Sequence, residues 1–238
     1  SHFVHSVIAE LSSSTADRYQ NPISAWNFIP DVNSRLLINS SPDLTFTDAF
    51  SFSMFVKFNE PWNFHSESLI WKSPVNYEMA VDQNDSLYGN GMYQLGFGLV
   101  GNGGFTRRIM SYSEISTWFH VTGTYDQGHL VLYLNGVEVD DDYGATSIPD
   151  QDAILYLGGA VNPVSGAYNR DIDDVIIHNC ALSAAEVAQI TSGDLDNDGF
   201  FDWQDCDDTD PNITIGPSGA TDSCPGVDCS QILADGYS

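Results

Sequence analysis

Five aspartates lie between residues 194 and 205, in the run Asp-Leu-Asp-Asn-Asp-Gly-Phe-Phe-Asp-Trp-Gln-Asp. They occupy positions 1, 3, 5, 9 and 12 of a twelve-residue stretch that has glycine at position 6. Calcium takes six to eight hard oxygen ligands at roughly 2.3–2.6 Å, so a chain that binds it must turn tightly around the ion. The spacing therefore predicts a calcium-binding loop in which Gly199 permits the sharp turn. Its predicted ligands are the side chains of Asp194, Asp196 and Asp198, the backbone carbonyl of Phe200, Asp202 acting through water, and the closing carboxylate of Asp205. The alternative is a solvated acidic linker, but five carboxylates at this spacing favour the loop.

The charge balance of the chain also favours bound cations. Among 238 residues, 33 are acidic and 7 are basic, which gives a formal net charge of −26. No Lys or Arg follows Arg170, so the C-terminal part is purely acidic. Such a surface repels nucleic acid and anionic membranes, and it suits bound cations and extracellular surroundings. No apolar run approaches the ~20 residues that span a bilayer, so we expect no direct membrane insertion.

The four cysteines, at positions 180, 206, 224 and 229, indicate disulfides rather than zinc. None of them forms a Cys-x-x-Cys pair, and no histidine lies near them at zinc spacing. An even number of cysteines in a calcium-binding chain favours an oxidising compartment and one or two disulfides. Three pairings are possible. Cys206 and Cys224 bracket the acidic region, which favours that pair.

The sequence before the acidic loop predicts many short strands. Phe50–Phe58 alternates with period two and predicts a half-buried strand. Trp118–Tyr125 and Leu130–Leu134 predict two more, and Asn135-Gly136 is a strong two-residue hairpin signal. Further strands are predicted near 69–72, 77–81, 93–99, 154–158 and 172–178. Short strands at this spacing predict an all-β antiparallel sandwich.

One short helix is predicted before the acidic loop. Ser183-Ala-Ala-Glu186 has the pattern of a capping box, and Val187 and Ile190 supply an apolar stripe. We expect a helix over about 183–191, packed on the end of the sandwich and stopped at Ser192-Gly193. Pro211 argues against an exit helix after the calcium loop.

Several segments together resemble the laminin-G-like (concanavalin-A-like, pentraxin-like) jelly roll of secreted and bacterial surface proteins. The most specific is Asp171-Ile-Asp-Asp-Val-Ile-Ile-His-Asn-Cys-Ala-Leu-Ser183, because that family commonly ends with an Ile-Asp-Asp/Glu-Val strand, Ala-Leu-Ser and a short helix. The chain has Cys180 where an arginine is common, which suggests a disulfide particular to this protein. The resemblance implies that Asp173 or Asp174 ligates a structural calcium inside the sandwich. Since strand side chains alternate, only one of the two is expected to point there, and a surface carboxylate is the alternative.

Two C-terminal segments carry further resemblances. Residues 194–213 resemble thrombospondin type 3 repeats and a metal-binding motif of bacterial surface proteins, Asp-Cys-Asp-Asp-Thr-Asp-Pro-Asn. The second likeness implies that Asp207, Asp208 and Asp210 hold another ion or share the first. Residues 222–238 resemble the opening of a fibrinogen-like domain. The predicted organisation is therefore a lead-in over 1–21, a jelly roll over 22–191, a calcium-binding segment over 192–217, and a linker or the start of a fibrinogen-like domain over 218–238.

Motifs for catalysis are missing from the sequence. The hydrolases of this fold carry a Glu-x-Asp-x-x-Glu strand, whereas Glu78 and Asp82 are isolated here. The lyases need Arg, Gln, His and Tyr on one sheet, and Arg107, Arg108 and His120 are the only candidates. The residues therefore favour a non-enzyme, with a divergent polysaccharide lyase or hydrolase as an alternative.

A binding role fits the loops better. Family lectins use rim loops whose aromatic rings stack on sugar faces, which implies Trp62, Tyr88, Asn90 and Tyr168 as ligand contacts; ordinary rim packing is the alternative. We expect a secreted or cell-surface module, on a bacterial outer surface, that serves adhesion or glycan recognition. Its expected partners are a glycan or surface glycoprotein and neighbouring domains of a longer polypeptide. A structural spacer or oligomerisation module without a ligand is the other hypothesis.

Overall fold

The computed structural model describes residues 7–10, 12–20, 25–29, 34–40, 44–61, 66–72, 77–83, 91–99, 104–146, 148, 153–159, 169–193 and 231–233. These residues form fifteen strands and two short helices. The strands are β1 (Val7–Glu10), β2 (Ser12–Thr15), β3 (Ala25–Phe28), β4 (Arg35–Ile38), β5 (Ala49–Phe58), β6 (Ser66–Lys72), β7 (Tyr77–Gln83), β8 (Met92–Gly98), β9 (Phe105–Ser111), β10 (Phe119–Asp126), β11 (His129–Leu134), β12 (Val137–Tyr143), β13 (Leu155–Leu157), β14 (Arg170–His178) and β15 (Gln231–Leu233). The helices are α1 (Tyr112–Ile115) and α2 (Ala184–Ser192).

The strands form two antiparallel sheets, which confirms the all-β jelly-roll sandwich. The seven-stranded sheet has the order β1-β4-β13-β6-β7-β8-β9, and the eight-stranded sheet has the order β12-β11-β10-β5-β14-β3-β2, with β15 paired to β14. Strands β1 and β2 belong to the segment expected as a lead-in, and β15 belongs to the segment 218–238. The domain boundaries and the acidic calcium-binding appendix stay predictions.

The hairpin signal between β11 and β12 is confirmed. Asn135 and Gly136 both have positive φ, at 50° and 77°, which is the requirement of a type I′ turn. The side-chain Oδ1 of Asn135 also accepts a hydrogen bond from the backbone N–H of His120, at 2.9 Å. The turn therefore fixes the start of β10 as well as its own two strands.

The core lies between the sheets and is rich in aromatic rings. Phe50 lies 4.6 Å from Tyr77, centroid to centroid, and Phe52 meets Phe97 edge to face at 5.1 Å. These four residues are at most 1 % exposed. Because the rings come from both sheets, they hold the two layers in register.

The prediction that Phe50–Phe58 is half-buried is wrong, since both faces of β5 are covered. Ser51 and Ser53 point away from the core, yet neither is exposed. Ser51 accepts a hydrogen bond from the N–H of Leu182 at 2.8 Å and donates to the carbonyl of Cys180 at 2.9 Å. The segment that leads into α2 therefore covers this face of the strand.

Helix α2 forms as predicted, but its position differs. Ser183 and Glu186 make the reciprocal capping box, and Gly193 ends the helix in the left-handed conformation with φ 68°. Val187 and Leu182 pack on Val131 and Tyr133 of β11. The helix therefore lies on the outer face of the eight-stranded sheet and not on the end of the sandwich, because β11 offers apolar side chains on that face.

Cys180, which precedes α2, is disulfide-bonded. The other three cysteines lie outside the described residues. The predicted Cys206–Cys224 pairing therefore stays a prediction.

Candidate functional site

A row of six residues crosses the outer face of the seven-stranded sheet, the face that points away from the core. Each residue is paired with the next across neighbouring strands, so all six share one face. We call this set the outer row: Leu37, Tyr156, Trp71, Glu78, Gly98 and Phe105.

Two aromatic residues form the first part of the outer row. The rings of Trp71 and Tyr156 lie 5.7 Å apart with a tilt of 38°. Tyr156 is 8 % exposed, whereas Trp71 is half-buried. The guanidinium of Arg35 also lies over the Tyr156 ring, 5.5 Å from its centroid. Tyr156 therefore fixes the orientation of Trp71, and Trp71 is the ring available to a ligand.

A carboxyl group stands next to this aromatic pair. Glu78 pairs with Trp71 across strands β6 and β7, and its side chain accepts a hydrogen bond from the hydroxyl of Ser68. Burial raises the pKa of Glu78 above its usual value, and the hydrogen bond from Ser68 opposes that rise. A positioned, partly desolvated carboxyl of this kind suits hydrogen bonding to a polar ligand.

A second ring lies on the other side of Glu78. Cβ atoms built on Gly96 and Gly98 would come within 2.2 Å of the Phe105 ring. The ring therefore lies directly on the backbone of β8, in space that only glycine leaves open. Phe105 is itself half-buried, and Arg107 lies over it at 5.6 Å.

The same face continues with polar side chains beyond the outer row. Asp82, four residues after Glu78 on β7, pairs with Gln94 of β8, and Gln94 pairs with Ile109 of β9. Asp82 and Gln94 are both half-buried. The face thus combines rings, two carboxyl groups and an amide.

Residues predicted from rim loops and from the acidic loop lie outside the described residues. They are Trp62, Tyr88, Asn90, Tyr168, Asp194, Asp196, Asp198, Phe200, Asp202, Asp205, Asp207, Asp208 and Asp210. The structure does describe residues that flank two of the loops. The backbone N–H of Asn59 donates to the carbonyl of Asn169 at 2.8 Å, so the chain just before 62–65 lies next to the chain just after 160–168.

Asn59 and Asn169 belong to one network of side-chain amides and charged groups. The carboxylate of Asp171 accepts from the side-chain amides of Asn27 at 2.7 Å and Asn59 at 3.0 Å, and it pairs with Lys57 at 2.9 Å. The amide oxygen of Asn169 accepts from the same two asparagines. The network therefore holds Asn59 and Asn169 next to each other.

Asp173 lies on the outer face of the eight-stranded sheet, opposite Phe55, and not inside the sandwich. Asp173 and Asp174 both contact the guanidinium of Arg18, so the expectation that one of them faces into the sandwich and the other faces out is wrong. A β-bulge between Asp173 and Ile176, with Asp174 at φ 45°, turns both carboxylates to one side.

The surroundings of Asp173 do not offer a set of oxygen ligands to a cation. Arg18 stacks over the ring of Phe55 at 3.9 Å while it contacts the two carboxylates. Within the described ranges, no group of three or more His, Cys, Asp or Glu side chains is arranged to hold a metal ion. The metal role of Asp173 stays a prediction.

The residues of the outer row escaped the sequence analysis, although a signal for some of them was present. Strands were predicted near 69–72 and 77–81, and alternation places Trp71 and Glu78 at outward positions once Tyr77 and Met79 are taken as core. Tyr156 and Phe105 join the outer row because of the order of the strands in the sheet, and local sequence patterns do not reveal that order.

Comparisons with known proteins assign this architecture to a family. The laminin-G-like profile of the concanavalin A-like lectin/glucanases superfamily matches residues 31–188. The chain therefore belongs to that superfamily, and residues 31–188 form its lectin-like jelly-roll domain. Among curated proteins, none matches the chain.

Solved structures with a similar fold include binding domains of bacterial toxins. The binding domain of Paraclostridial Mosquitocidal Protein 1 has a TM-score of 0.60 and 16 % identity, over 79 % of this chain and 47 % of that one. The receptor binding domain of a botulinum neurotoxin C/D mosaic serotype has a TM-score of 0.59 and 15 % identity, over 80 % and 47 %. The binding domain of botulinum neurotoxin DC in complex with SialylT has a TM-score of 0.54 and 16 % identity, over 79 % and 46 %.

At this identity the likeness shows the fold. The chain matches about half the length of these toxin domains. In the part of the chain that the structure describes, no helix has the length and apolar character needed to cross a membrane.

Proposed function

We propose that the chain is a non-catalytic, carbohydrate-binding module of a secreted or cell-surface protein, and that it binds its glycan on the outer face of the seven-stranded sheet. The observation that carries this proposal is Trp71, oriented by Tyr156 and placed directly beside Glu78. Sugar rings present apolar C–H faces and polar hydroxyl edges, so an aromatic ring next to a carboxyl group satisfies both.

The family and its toxin neighbours support a binding role. The superfamily includes lectins by its name, and one similar toxin binding domain is described in complex with SialylT. Recognition of surface glycans, and adhesion through them, is the function we extend to this chain. The bacterial-surface setting is part of the proposal and rests on the sequence resemblances.

The hydrolases of this fold carry a Glu-x-Asp-x-x-Glu strand, and strand β7 does not match that pattern. Counted from Glu78, Ala80 stands at the third position and Gln83 at the sixth, where the pattern requires Asp and Glu. Strand β7 therefore does not carry the carboxyl pair that these hydrolases use. A divergent lyase or hydrolase remains a competing hypothesis, and turnover of a polysaccharide by the purified chain would favour it.

The first experiment is a glycan array followed by calorimetric titration of the best binder. Replacing Trp71 with alanine should weaken binding at least about tenfold, which corresponds to roughly 1.4 kcal/mol, because the stacking surface is lost. Tyr143→Ala is the matched control, since it removes an aromatic that is 69 % exposed on the other sheet. If Trp71→Ala folds and binds like the unmodified chain, the proposed site is wrong.

The rim loops are the alternative location for the glycan. Tyr88→Ala and Tyr168→Ala, measured against the same ligand, separate the two locations. Loss of binding in these variants with full binding by Trp71→Ala would move the site to the loops around Trp62, Tyr88, Asn90 and Tyr168. An array without any binder would favour the structural-spacer hypothesis.

We also propose that residues 194–205 bind calcium, with Asp207, Asp208 and Asp210 able to contribute a further site. The support is the ligand spacing in the sequence and the acidic balance of this region. Extracellular calcium modules bind at about 10⁻⁴–10⁻³ M, where the ion is normally abundant.

Calorimetric titration with calcium tests this second proposal. Asp196→Ala combined with Asp198→Ala should abolish the tightest site, because two of its carboxylates are removed. Asp126→Ala combined with Asp141→Ala is the matched control, since it removes the same charge from positions that are exposed on the sandwich. Equal calcium affinity in the two double variants would disprove the proposal that residues 194–205 bind calcium.

A further inference from the structure

Two ring surfaces lie on either side of Glu78, at a separation that one sugar cannot bridge. Trp71 belongs to β6, and the ring of Phe105 lies over Gly96 and Gly98 of β8. With neighbouring strands about 4.8 Å apart, the strands that support the two rings are separated by about 10 Å. Glu78 of β7 lies between them.

This geometry favours a ligand that crosses the strands. A chain laid along β7 would meet Glu78 and Asp82 and would leave one of the two rings without a partner. A chain laid along the outer row would meet Trp71, Glu78 and Phe105 in turn. The row also ends beside Arg107, which lies over Phe105, and at the other end beside Arg35, which lies over Tyr156.

The charge between the two rings selects the kind of glycan, because Arg35 and Arg107 lie at the two ends of the outer row and not between the rings. Glu78 stands between the two rings, Asp82 lies on the same face, and the protein carries a net charge of −26. A polyanion would bring its repeating carboxylates or sulfates against Glu78. Neutral hydroxyl groups can instead hydrogen-bond to this carboxyl group without a charge penalty.

We propose that the outer row is the binding site for an extended, neutral oligosaccharide that runs across the strands, with Trp71 and Phe105 as two separate stacking platforms. This inference rests on the proposed function, because it names the ligand class of the same site. It assigns Phe105 a role that depends on the length of the ligand: short sugars use Trp71, and longer chains use both rings.

The test is a length series measured by calorimetric titration. The probes are neutral β-linked glucose, mannose and N-acetylglucosamine oligomers of one to six units, with sialyllactose and alginate oligomers as charged counterparts. In the unmodified chain, affinity should rise about tenfold or more when the oligomer becomes long enough to reach the second ring. Phe105→Ala should remove that rise, so that affinity no longer increases once the oligomer is long enough to reach the second ring.

A second variant tests the role of the Phe105 ring without deleting its side chain. Gly96→Ala places a Cβ within 2.2 Å of the Phe105 ring, while its nearest backbone atom, the carbonyl oxygen of Thr106, is 3.1 Å away. The substitution therefore displaces the ring without deleting it, and it should reproduce the length-dependent loss. Thermal melting of each variant reports whether the sandwich is intact.

The outcomes separate the inference from the function on which it rests. If Trp71→Ala weakens binding but Phe105→Ala and Gly96→Ala have no effect at any length, the cross-strand inference is wrong and the proposed function stands. A preference for sialyllactose or alginate over the neutral oligomers also overturns the inference. If no oligomer binds, or if Trp71→Ala binds as well as the unmodified chain, the proposed function on this face fails together with the inference.

Discussion

Several polar atoms on the outer face of the eight-stranded sheet are buried without a hydrogen-bond partner. Ser53 Oγ, Thr122 Oγ1, His120 Nε2 and both ring nitrogens of His178 are in this position in the part of the chain that the structure describes. Ser53 and Thr122 are directly opposite each other. Buried polar atoms of this kind cost stability unless water reaches them.

The other nitrogen of His120 does have a partner, which fixes the state of the ring. Its Nδ1 lies 2.7 Å from Thr191 Oγ1, and that hydroxyl donates to the carbonyl of Val187. The hydroxyl must therefore accept from Nδ1–H, so the neutral ring has its free lone pair on the buried Nε2. Burial, together with the charge of Arg18, lowers the pKa of His120 to about 3.

His178 makes the stability of the sandwich sensitive to acid. Burial lowers its pKa to about 4, although the charge of Glu186 opposes the change. The unfolded chain takes up a proton near pH 6.5 that the folded chain takes up only near pH 4, so this contribution to stability is present above pH 6.5 and is lost on acidification. Between these values the loss is about 1.4 kcal/mol per pH unit.

Urea denaturation at several pH values checks this prediction by difference. The free energy of unfolding of His178→Gln should fall less steeply between pH 6 and pH 4 than that of the unmodified chain, because glutamine takes up no proton. The comparison cancels the contribution of the carboxyl groups, including Asp173, whose pKa burial and the neighbouring Asp174 raise. Parallel curves for the two proteins would contradict it.

At the scale of elements, local signals in the sequence located what is formed locally. The capping box at Ser183 and the Asn135-Gly136 turn depend on residues within three positions of each other, and both appear as predicted. The prediction that β5 is half-buried was wrong because the residues that cover its outer face lie about 130 positions away in the sequence. The predicted alternation of Asp173 and Asp174 was wrong because a β-bulge interrupts the strand there, and a bulge leaves no pattern in the sequence.

The acidic strand β12 shows a contact between elements that the sequence does not reveal. Its run Glu138-Val-Asp-Asp-Asp142 reads as a solvated surface. In the structure, Asp140 and Asp142 accept hydrogen bonds from the backbone N–H groups of Arg107 and Phe105, at 2.6 Å and 2.8 Å. The hydrogen bond from Phe105, together with a second one from the backbone N–H of Tyr143, lowers the pKa of Asp142. The hydrogen bonds from Arg107 and Phe105 cap the free edge of β9, and so they fix the strand that carries the second ring of the outer row.

At the scale of the whole molecule, the predicted calcium segment has an anchor on each side. Helix α2 ends at Gly193 on the outer face of the eight-stranded sheet, and β15 pairs with β14 of the same sheet, with Ile177 opposite Ile232. Cys180, which precedes α2, is also disulfide-bonded. An ion that joins carboxylates within 194–230 would therefore close a loop whose two ends the sandwich already holds.

This arrangement predicts that calcium stabilises the sandwich itself. At 10 mM calcium, a site with a dissociation constant of about 10⁻⁴–10⁻³ M adds roughly 1.4–2.7 kcal/mol to the free energy of unfolding, provided the unfolded chain does not bind the ion. Thermal melting should therefore show one transition that moves to higher temperature with calcium, and Asp196→Ala with Asp198→Ala should remove the shift. A separate low-temperature transition that alone responds to calcium would mean that the segment folds independently of the sandwich.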